Sequence, residues 1–268
     1  MIAGKLVNSK TRSIVPVDLD SIVYWNAMIL SDFYRKINNT IKASEYEIIS
    51  LQWKEAVAEV LWDEELGSWF DFDLINNIKR KYFYPTNISP LWTGCYDEKK
   101  TEYFVTRVLK YLSKTEILET KGGIPTTMRL TEQQWDQPNA WPPLQYIAVM
   151  SLHNTGNKDP QIMAKKIAHK WLCTNYVPHY NYTKMYEKYR VDLPGQKGLS
   201  SGEYEIQDGF GWTNGIILEF LQIYNSTAST EDWNVTAPDC YGEWKKLKML
   251  KELQIVNNNN NTNKIDNN

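Results

Sequence analysis

The chain has 268 residues, of which 42% are hydrophobic and 23% charged, and this ordinary globular composition excludes a mainly disordered protein. Its 30 basic and 32 acidic side chains leave a net charge of -2, which argues against a nucleic-acid partner or an anionic membrane surface. No apolar run approaches the ~20 residues that a membrane-spanning helix needs. The sequence therefore predicts a soluble globular protein with no membrane segment.

Aromatic residues are unusually frequent, with 11 Trp and 17 Tyr. Large aromatic side chains bury much surface in ordinary cores, and composition alone favours this interpretation. The alternative is a sugar-binding site, in which flat rings stack on the apolar face of a pyranose and neighbouring polar groups bind its hydroxyls.

The cysteines are Cys95, Cys173 and Cys240, which lie far apart and form no CxxC pair. This spacing excludes a disulfide framework and a zinc ribbon. It leaves two alternatives, namely one bridge with one thiol left over, or three buried thiols.

Signals for the cellular compartment conflict. N-glycosylation sequons begin at Asn38, Asn87, Asn181, Asn225, Asn234 and Asn260. The first residues, MIAGK, lack the apolar segment of a signal peptide. The protein is therefore either intracellular or, if Met1 is not the native start, secreted or extracellular in its full-length form.

Apolar residues recur along the chain at helical spacing, and strand-like alternation is nearly absent. The predicted helices are Asp18–Phe33, Ser44–Glu65, Lys99–Lys114, Pro143–His153, Pro160–Tyr176, Phe210–Tyr224 and Trp244–Val256. We expect residues 1–256 to form one structured domain. Residues 257–268 are Asn-rich and have almost nothing to bury, so we expect disorder there.

Three connections are long and rich in Pro, Gly, Asn and Trp: Gly67–Leu91, Gly122–Pro142 and Pro178–Gly211. Loops longer than about 12–15 residues are uncommon in compact domains and are often functional. Alternation of short and long connections predicts stacked helical hairpins, as in a toroid or a solenoid, with the long loops gathered at one end.

Common catalytic motifs are missing from the sequence. It contains no HExxH, GxxxxGK[ST] or GxSxG pattern. The glycines of residues 209–215 follow no predicted strand and lack the spacing of a dinucleotide-binding loop. The histidines are scattered, and each fits a surface or core role better than a catalytic one.

What remains is a set of carboxylates among aromatic and amide side chains in two of the long loops. Trp135, Trp141 and Trp212 offer stacking faces; Asp136, Asn139, Gln207 and Asn214 offer hydroxyl-binding groups; Glu187, Glu203 and Asp208 offer acid–base groups. Carboxylates in this setting are the usual machinery of glycoside hydrolysis. The structural alternative is that these loops are turn-rich helix connections, in which Asp and Asn act as caps.

At these loops the sequence resembles a known family. Residues 134–143, QWDQPNAWPP, closely resemble a signature of the trehalases, which are inverting α,α-trehalose hydrolases. Residues 202–215, GEYEIQDGFGWTNG, resemble the Gly-rich segment near the end of their catalytic domain. Further matches in family order, from about Thr11 to Tyr224, are PVDL at 16–19, LW at 61–62, Gly67, Trp69, Asp71, Asp73, Leu74, YPTN at 84–87, PLW at 90–92 and GIPT at 123–126.

The resemblance implies an all-α fold, the (α/α)6 toroid, and trehalose as the substrate, with no metal or organic cofactor. It makes Glu187, in the EKY motif, the general base and Glu203 a substrate-binding carboxylate. The other expected substrate-binding residues are Trp135, Asp136, Asn139, Trp141, Gln207 and Trp212.

Two departures from the family pattern stand out. Arg190 follows EKY where the family usually has Asp, and the family's glycine run is eroded to GLSSG at residues 198–202. A positive charge near Glu187 would favour its ionised form.

The family's first signature, its sugar-binding arginines and the Gly-Trp-Asp segment with the general acid are expected before Pro16 and are missing there. We therefore expect the C-terminal half of a catalytic toroid, an incomplete ring that is inactive as written. A non-catalytic sugar-binding remnant and another (α/α)6 glycosidase are the alternatives.

Overall fold

The computed structural model describes residues 10–131, 133–200 and 204–225, and helices dominate these ranges. The helices are α1 (Val17–Lys36), α2 (Thr40–Ala56), α3 (Ser89–Thr93), α4 (Thr101–Lys114), α5 (Pro142–His153), α6 (Lys158–Tyr182) and α7 (Gly211–Asn225). The predicted helix at 244–256 and the expected disordered tail at 257–268 lie outside the described residues. None of the helices in the described ranges combines the length and the hydropathy that a membrane crossing requires.

Short strands tie the connections between helices together. They are β1 (Ile14–Val15), β2 (Trp62–Asp63), β3 (Ser68–Trp69), β4 (Phe72–Asp73), β5 (Ile78–Lys79), β6 (Asn139–Ala140) and β7 (Tyr189–Arg190). The pairings are all antiparallel: β4 lies between β1 and β5, β2 pairs with β3, and β6 pairs with β7. The strands are too short to leave a pattern of alternating polarity in the sequence.

The second helix begins earlier and ends earlier than the sequence pattern predicts. Asn39 caps α2, since its side chain accepts a hydrogen bond from the backbone N–H of Lys42 at 3.1 Å. At the other end, α2 passes into one π-helical turn at Val57–Leu61, and Trp62 then pairs with Trp69. The prediction that the helix runs to Glu65 is wrong, because the apolar residues that suggested it belong to this turn.

Helix α6 is longer than predicted and contains Pro178, which the sequence pattern placed at the start of a loop. The helix is capped by Thr183, whose backbone is left-handed and whose N–H donates to the carbonyl of His179 at 2.8 Å. Pro178 thus lies in the last turns of the helix without ending it, and the long loop toward α7 begins later than predicted.

The helices pack as antiparallel hairpins, α1 against α2 and α5 against α6, with α3 and α7 against α5. Part of the aromatic excess lies in this core. Trp69 stacks on Phe104 with ring centroids 5.4 Å apart, and Trp62 meets Trp69 edge-on at 4.7 Å. The core interpretation of the aromatic composition therefore holds for these residues.

The two cysteines in the described residues differ in state. Cys173 is disulfide-bonded, and Cys95 is a free thiol with no exposed surface. Burial raises the pKa of the Cys95 thiol to about 12. Cys95 is therefore a core residue and is protonated at neutral pH.

A buried carboxyl group lies in α1. Asp20 is 8% exposed, and its burial, with the nearby charges of Asp18 and Asp71, raises its pKa from 3.8 to about 6. The folded state therefore holds the Asp20 proton more tightly than the unfolded state does. The corresponding stability is complete below pH 3.8 and is lost as the pH rises through about 6.

We expect Asp20→Asn to stabilise the protein at pH 7.5 by roughly 1–3 kcal/mol, because it removes a carboxylate that must otherwise ionise in a buried setting. At pH 3.5 the gain should vanish. Urea unfolding at both pH values measures the difference. Asp32→Asn, at an exposed position of the same helix, is the matched control, and an equal gain at both pH values would contradict the assignment.

Candidate functional site

The two loops that carry the sequence-predicted site residues meet in the structure. Strands β6 and β7 pair so that Asn139 lies opposite Arg190 and Ala140 opposite Tyr189. Asn139 reaches further along the second loop: its Oδ1 accepts from the N–H of Leu199 at 2.6 Å, and its Nδ2 donates to the Leu199 carbonyl at 3.2 Å. The loops are thus joined by backbone pairing and by one buried amide.

Glu187 is held in place through its backbone. Its N–H donates to the carbonyl of Gln207 at 3.0 Å, and its carbonyl accepts from Nε1 of Trp212 at 3.1 Å. Thr213 adds a bond from its hydroxyl to the carbonyl of Tyr186 at 2.8 Å. The start of α7 therefore fixes the segment that carries this carboxylate.

The Glu187 side chain is 8% exposed, and its Oε2 atom is buried without a hydrogen-bond partner among the described residues. A buried acceptor in this condition is costly unless a further group hydrogen-bonds to it. A hydroxyl or water bound at this atom would supply the missing partner.

The three predicted stacking residues have different surroundings. Trp135 is 49% exposed and stacks on Trp141 with centroids 4.0 Å apart, whereas Trp141 is 3% exposed. Trp141 also meets Trp212 edge-on at 5.9 Å. Trp135 is therefore the solvent-exposed member of the stack, and Trp141 is its buried support.

Polar side chains of the first loop are engaged within the protein. Asp136 accepts hydrogen bonds from the hydroxyls of Thr127, at 2.6 Å, and Thr131. Asn139 is 1% exposed and makes the bonds to Leu199 described above. Their geometry does not support the expectation that these two residues bind sugar hydroxyls. Their hydrogen bonds instead stabilise the loop.

Gln207, Asp208 and Asn214 are exposed. Asp208 forms an ion pair with Lys184 at 2.6 Å. This pairing lowers the pKa of Asp208, so Asp208 does not suit the role of a proton donor. Glu203 lies outside the described residues.

Arg190 is paired with a carboxylate of its own loop. Its Nε and one terminal nitrogen donate to the two oxygens of Asp192, at 2.9 and 2.6 Å. This two-bond pair directs the Arg190 charge to Asp192, whereas the sequence suggested an influence on Glu187.

Sequence reasoning missed two residues of the site, Lys188 and Gln134. Lys188 has no exposed surface, and its ammonium lies 4.7 Å from the ring centroid of Trp141. Gln134 accepts from that ammonium at 3.4 Å and gives its backbone carbonyl to Nε1 of Trp141 at 3.2 Å. The sequence feature that could have identified them is that Lys188 belongs to the EKY motif and Gln134 to the QWD motif.

The acidic residues that the structure describes do not combine into a metal centre. Across residues 10–131, 133–200 and 204–225, the structure brings together no group of three or more His, Cys, Asp and Glu side chains suited to holding a metal ion.

Known proteins with similar sequences belong to the family that these loops resemble. A sequence model of the trehalase family matches residues 2–225. The trehalase of Apis mellifera is 47% identical over 229 residues, which are 85% of this chain and 36% of that protein. The trehalase of Homo sapiens is 41% identical over 228 residues, which are 84% of this chain and 38% of that protein. The chain thus spans less than two fifths of the length of these relatives.

Solved structures give the same fold. Neutral trehalase from Saccharomyces cerevisiae superposes with a TM-score of 0.60 at 21% identity, over 80% of this chain and 39% of that one. The GH63 mannosylglycerate hydrolase of Thermus thermophilus gives a TM-score of 0.58 at 15% identity, over 78% of this chain and 45% of that one. Both are (α/α) toroids, which confirms the predicted fold class. By sequence, motif order and fold, the chain belongs to the trehalase family.

Proposed function

We propose that the protein hydrolyses α,α-trehalose to two glucose molecules with inversion, and that Glu187 is the general base. The observation that carries the proposal is the Glu187 carboxylate, which is fixed by its backbone, largely buried, and left with one acceptor oxygen unused by the described residues. This is the arrangement that a base needs in order to hold a water molecule in one orientation.

In the proposed reaction, the Glu187 carboxylate accepts a proton from water as the water oxygen bonds to the anomeric carbon. The glycosidic C–O bond breaks, and the leaving oxygen takes a proton from a general acid on the opposite face of the sugar. Inversion requires the two carboxyl groups to be roughly 6.5–9.5 Å apart, so that the water fits between them. We assign the acid to the family's Gly-Trp-Asp segment, because the ion pair with Lys184 lowers the pKa of Asp208 and so disfavours it as a proton donor.

For substrate binding, we propose that the exposed face of Trp135 stacks on a glucosyl ring. Trp141 backs this ring, and Trp212 links the stack to Glu187 through the Nε1 bond. Glu203 and Gln207 would bind hydroxyl groups from the second loop. Trehalose is uncharged, and the proposed reaction gives no role to a metal or an organic cofactor.

We expect a chimera, in which residues 10–225 replace the matching segment of the Apis mellifera trehalase, to release equal amounts of α- and β-glucose from trehalose. Inverting attack changes the configuration of one glucosyl unit only, and the other leaves as the α-anomer. Proton NMR of the anomeric region in the first minutes measures this ratio.

Three other results are informative. Early release of α-glucose alone would contradict inversion. A chimera that binds trehalose but releases no glucose would favour the non-catalytic sugar-binding alternative. Residues 1–268 assayed beside the chimera show whether this chain acts alone, and we expect it to be inactive.

A further inference from the structure

Lys188 is a charged residue inside the protein, directly after the proposed base. It has no exposed surface, and its carbonyl accepts a hydrogen bond from the N–H of Gly198 at 2.9 Å. A side chain with no exposed surface is shielded from a bound sugar by its neighbours. Any role of Lys188 must therefore act through the residues that surround it.

Those residues are the aromatic rings of the two loops. The Lys188 ammonium lies 4.7 Å from the ring centroid of Trp141 and 5.0 Å from that of Tyr204. It also donates to Oε1 of Gln134 at 3.4 Å. Cation–π attraction is strongest when the cation is removed from water, as it is here. The ammonium thus binds the first loop to the residue that follows Glu203.

The aliphatic part of Lys188 is tightly enclosed at Gly198. A Cβ at that position would lie 2.8 Å from Cγ of Lys188 and 2.9 Å from Oδ1 of Asn139. Both distances are shorter than normal contacts, so the backbone of the second loop lies directly against the lysine stem. The stem therefore has little room to move, and its ammonium lies close to both rings.

A buried charge is an expensive way to fill this space, because an apolar side chain of similar volume carries no desolvation cost. The uncharged substrate proposed above gives no reason for a cation as a ligand. What the cation adds is directional attraction to ring faces, which orients Trp141 and, through the stack at 4.0 Å, the exposed ring of Trp135.

We propose that Lys188 is a positioning residue that sets the orientation of the Trp135–Trp141 stack and of Tyr204 relative to Glu187. The proposal deepens the proposed function and rests on it for the consequence in catalysis. It predicts an effect on substrate binding that exceeds the effect on the chemical step, because Lys188 orients the binding surface and leaves the backbone bonds of Glu187 intact.

The test uses Lys188→Met, which keeps an unbranched stem almost as long as that of lysine and removes its charge. The first measurement uses the 268-residue chain. The fluorescence of Trp135 is obtained by subtracting the fluorescence of the Trp135→Phe derivative from that of each protein. We expect the quenching of this Trp135 fluorescence by acrylamide to change in Lys188→Met, and its quenching by trehalose to be weaker. In the chimera, KM for trehalose should rise about tenfold while kcat changes less than about threefold, since ground-state and transition-state binding weaken together.

Tyr204→Leu provides a second, milder variant in case Lys188→Met does not fold, and Tyr204→Phe is its matched control because it keeps the ring. We expect Tyr204→Leu to shift KM in the same direction and Tyr204→Phe to resemble the unmodified chain. Unchanged Trp135 quenching together with unchanged KM in Lys188→Met, or in Tyr204→Leu if that is the folded variant, would overturn the proposal.

A loss confined to kcat would also overturn it, since Lys188 would then act on the chemistry of Glu187. Should the unmodified chimera fail to hydrolyse trehalose, the proposed function fails, and the Trp135 quenching still decides whether Lys188 orients the stack.

Discussion

Substitution of Glu187 by glutamine is expected to lower kcat for trehalose hydrolysis by about 10²–10⁴-fold, the usual contribution of a general acid–base group. Glutamine has the same shape but cannot take a proton from water. The backbone bonds to Gln207 and Trp212 do not involve the carboxylate, so the folded structure should persist. Stopped assays of glucose release by the chimera, with circular dichroism for folding, measure both effects.

The matched control is Glu205→Gln, which makes the same chemical change at an exposed position of the same loop. It should retain kcat within about twofold. A loss below about tenfold in Glu187→Gln would remove Glu187 from the role of base. If KM rose instead with kcat preserved, Glu187 would be a substrate-binding carboxylate.

The helices were largely predictable from the sequence because their apolar faces repeat at a regular spacing. The predicted helix ends are wrong where a cap, a proline or strand pairing outweighs the apolar spacing. Asn39 begins α2 by capping, ahead of the first apolar residues. Pro178 sits inside α6, where its local preference for a helix end is overridden. Trp62 leaves the helical pattern to pair with Trp69.

The sequence motifs predicted which residues lie in the candidate site, but they predicted the role of each residue only in part. Motif order placed Glu187 and Trp135 in two loops, and the structure joins those loops through β6 and β7. Trp141 and Asn139 are buried because the two loops are joined. Their supporting role could therefore not be predicted from the local sequence. The Arg190–Asp192 ion pair could not be predicted either, because it depends on the direction in which the two side chains point.

The two loops are also joined by the hydrogen bonds of the Val191 backbone. The backbone of Val191 joins three segments: its N–H donates to the carbonyl of Pro138 and its carbonyl accepts from Gly122, both at 2.9 Å. Thr174 of α6 bonds the Gly122 carbonyl at 3.1 Å. The segment at Gly122 therefore connects α6 to the strand that follows Glu187, and a change there should reach the site.

Gly123→Ala is expected to destabilise the fold by about 3–5 kcal/mol, a large share of the ~5–15 kcal/mol typical of a domain. Gly123 has a φ of +118°, and a Cβ there would lie 2.6 Å from Oε1 of Gln145 and 3.0 Å from Cε3 of Trp171. Gln145 is fully buried and bonds both the N–H and the carbonyl of Ile124. The methyl group must displace this amide or the Trp171 ring.

Gly156→Ala is the control for backbone strain alone, because Gly156 has a φ of +72° and nothing within 4 Å of an added Cβ. It should cost about 1–2 kcal/mol. Urea unfolding of both variants separates the two contributions. If Gly123→Ala cost no more than Gly156→Ala, Gln145 and Trp171 would have moved aside freely, and the close packing around Gly123 would not be a rigid part of the fold. A larger cost for Gly123→Ala, accompanied by weaker trehalose binding, would place the support of the site in this buried glycine turn.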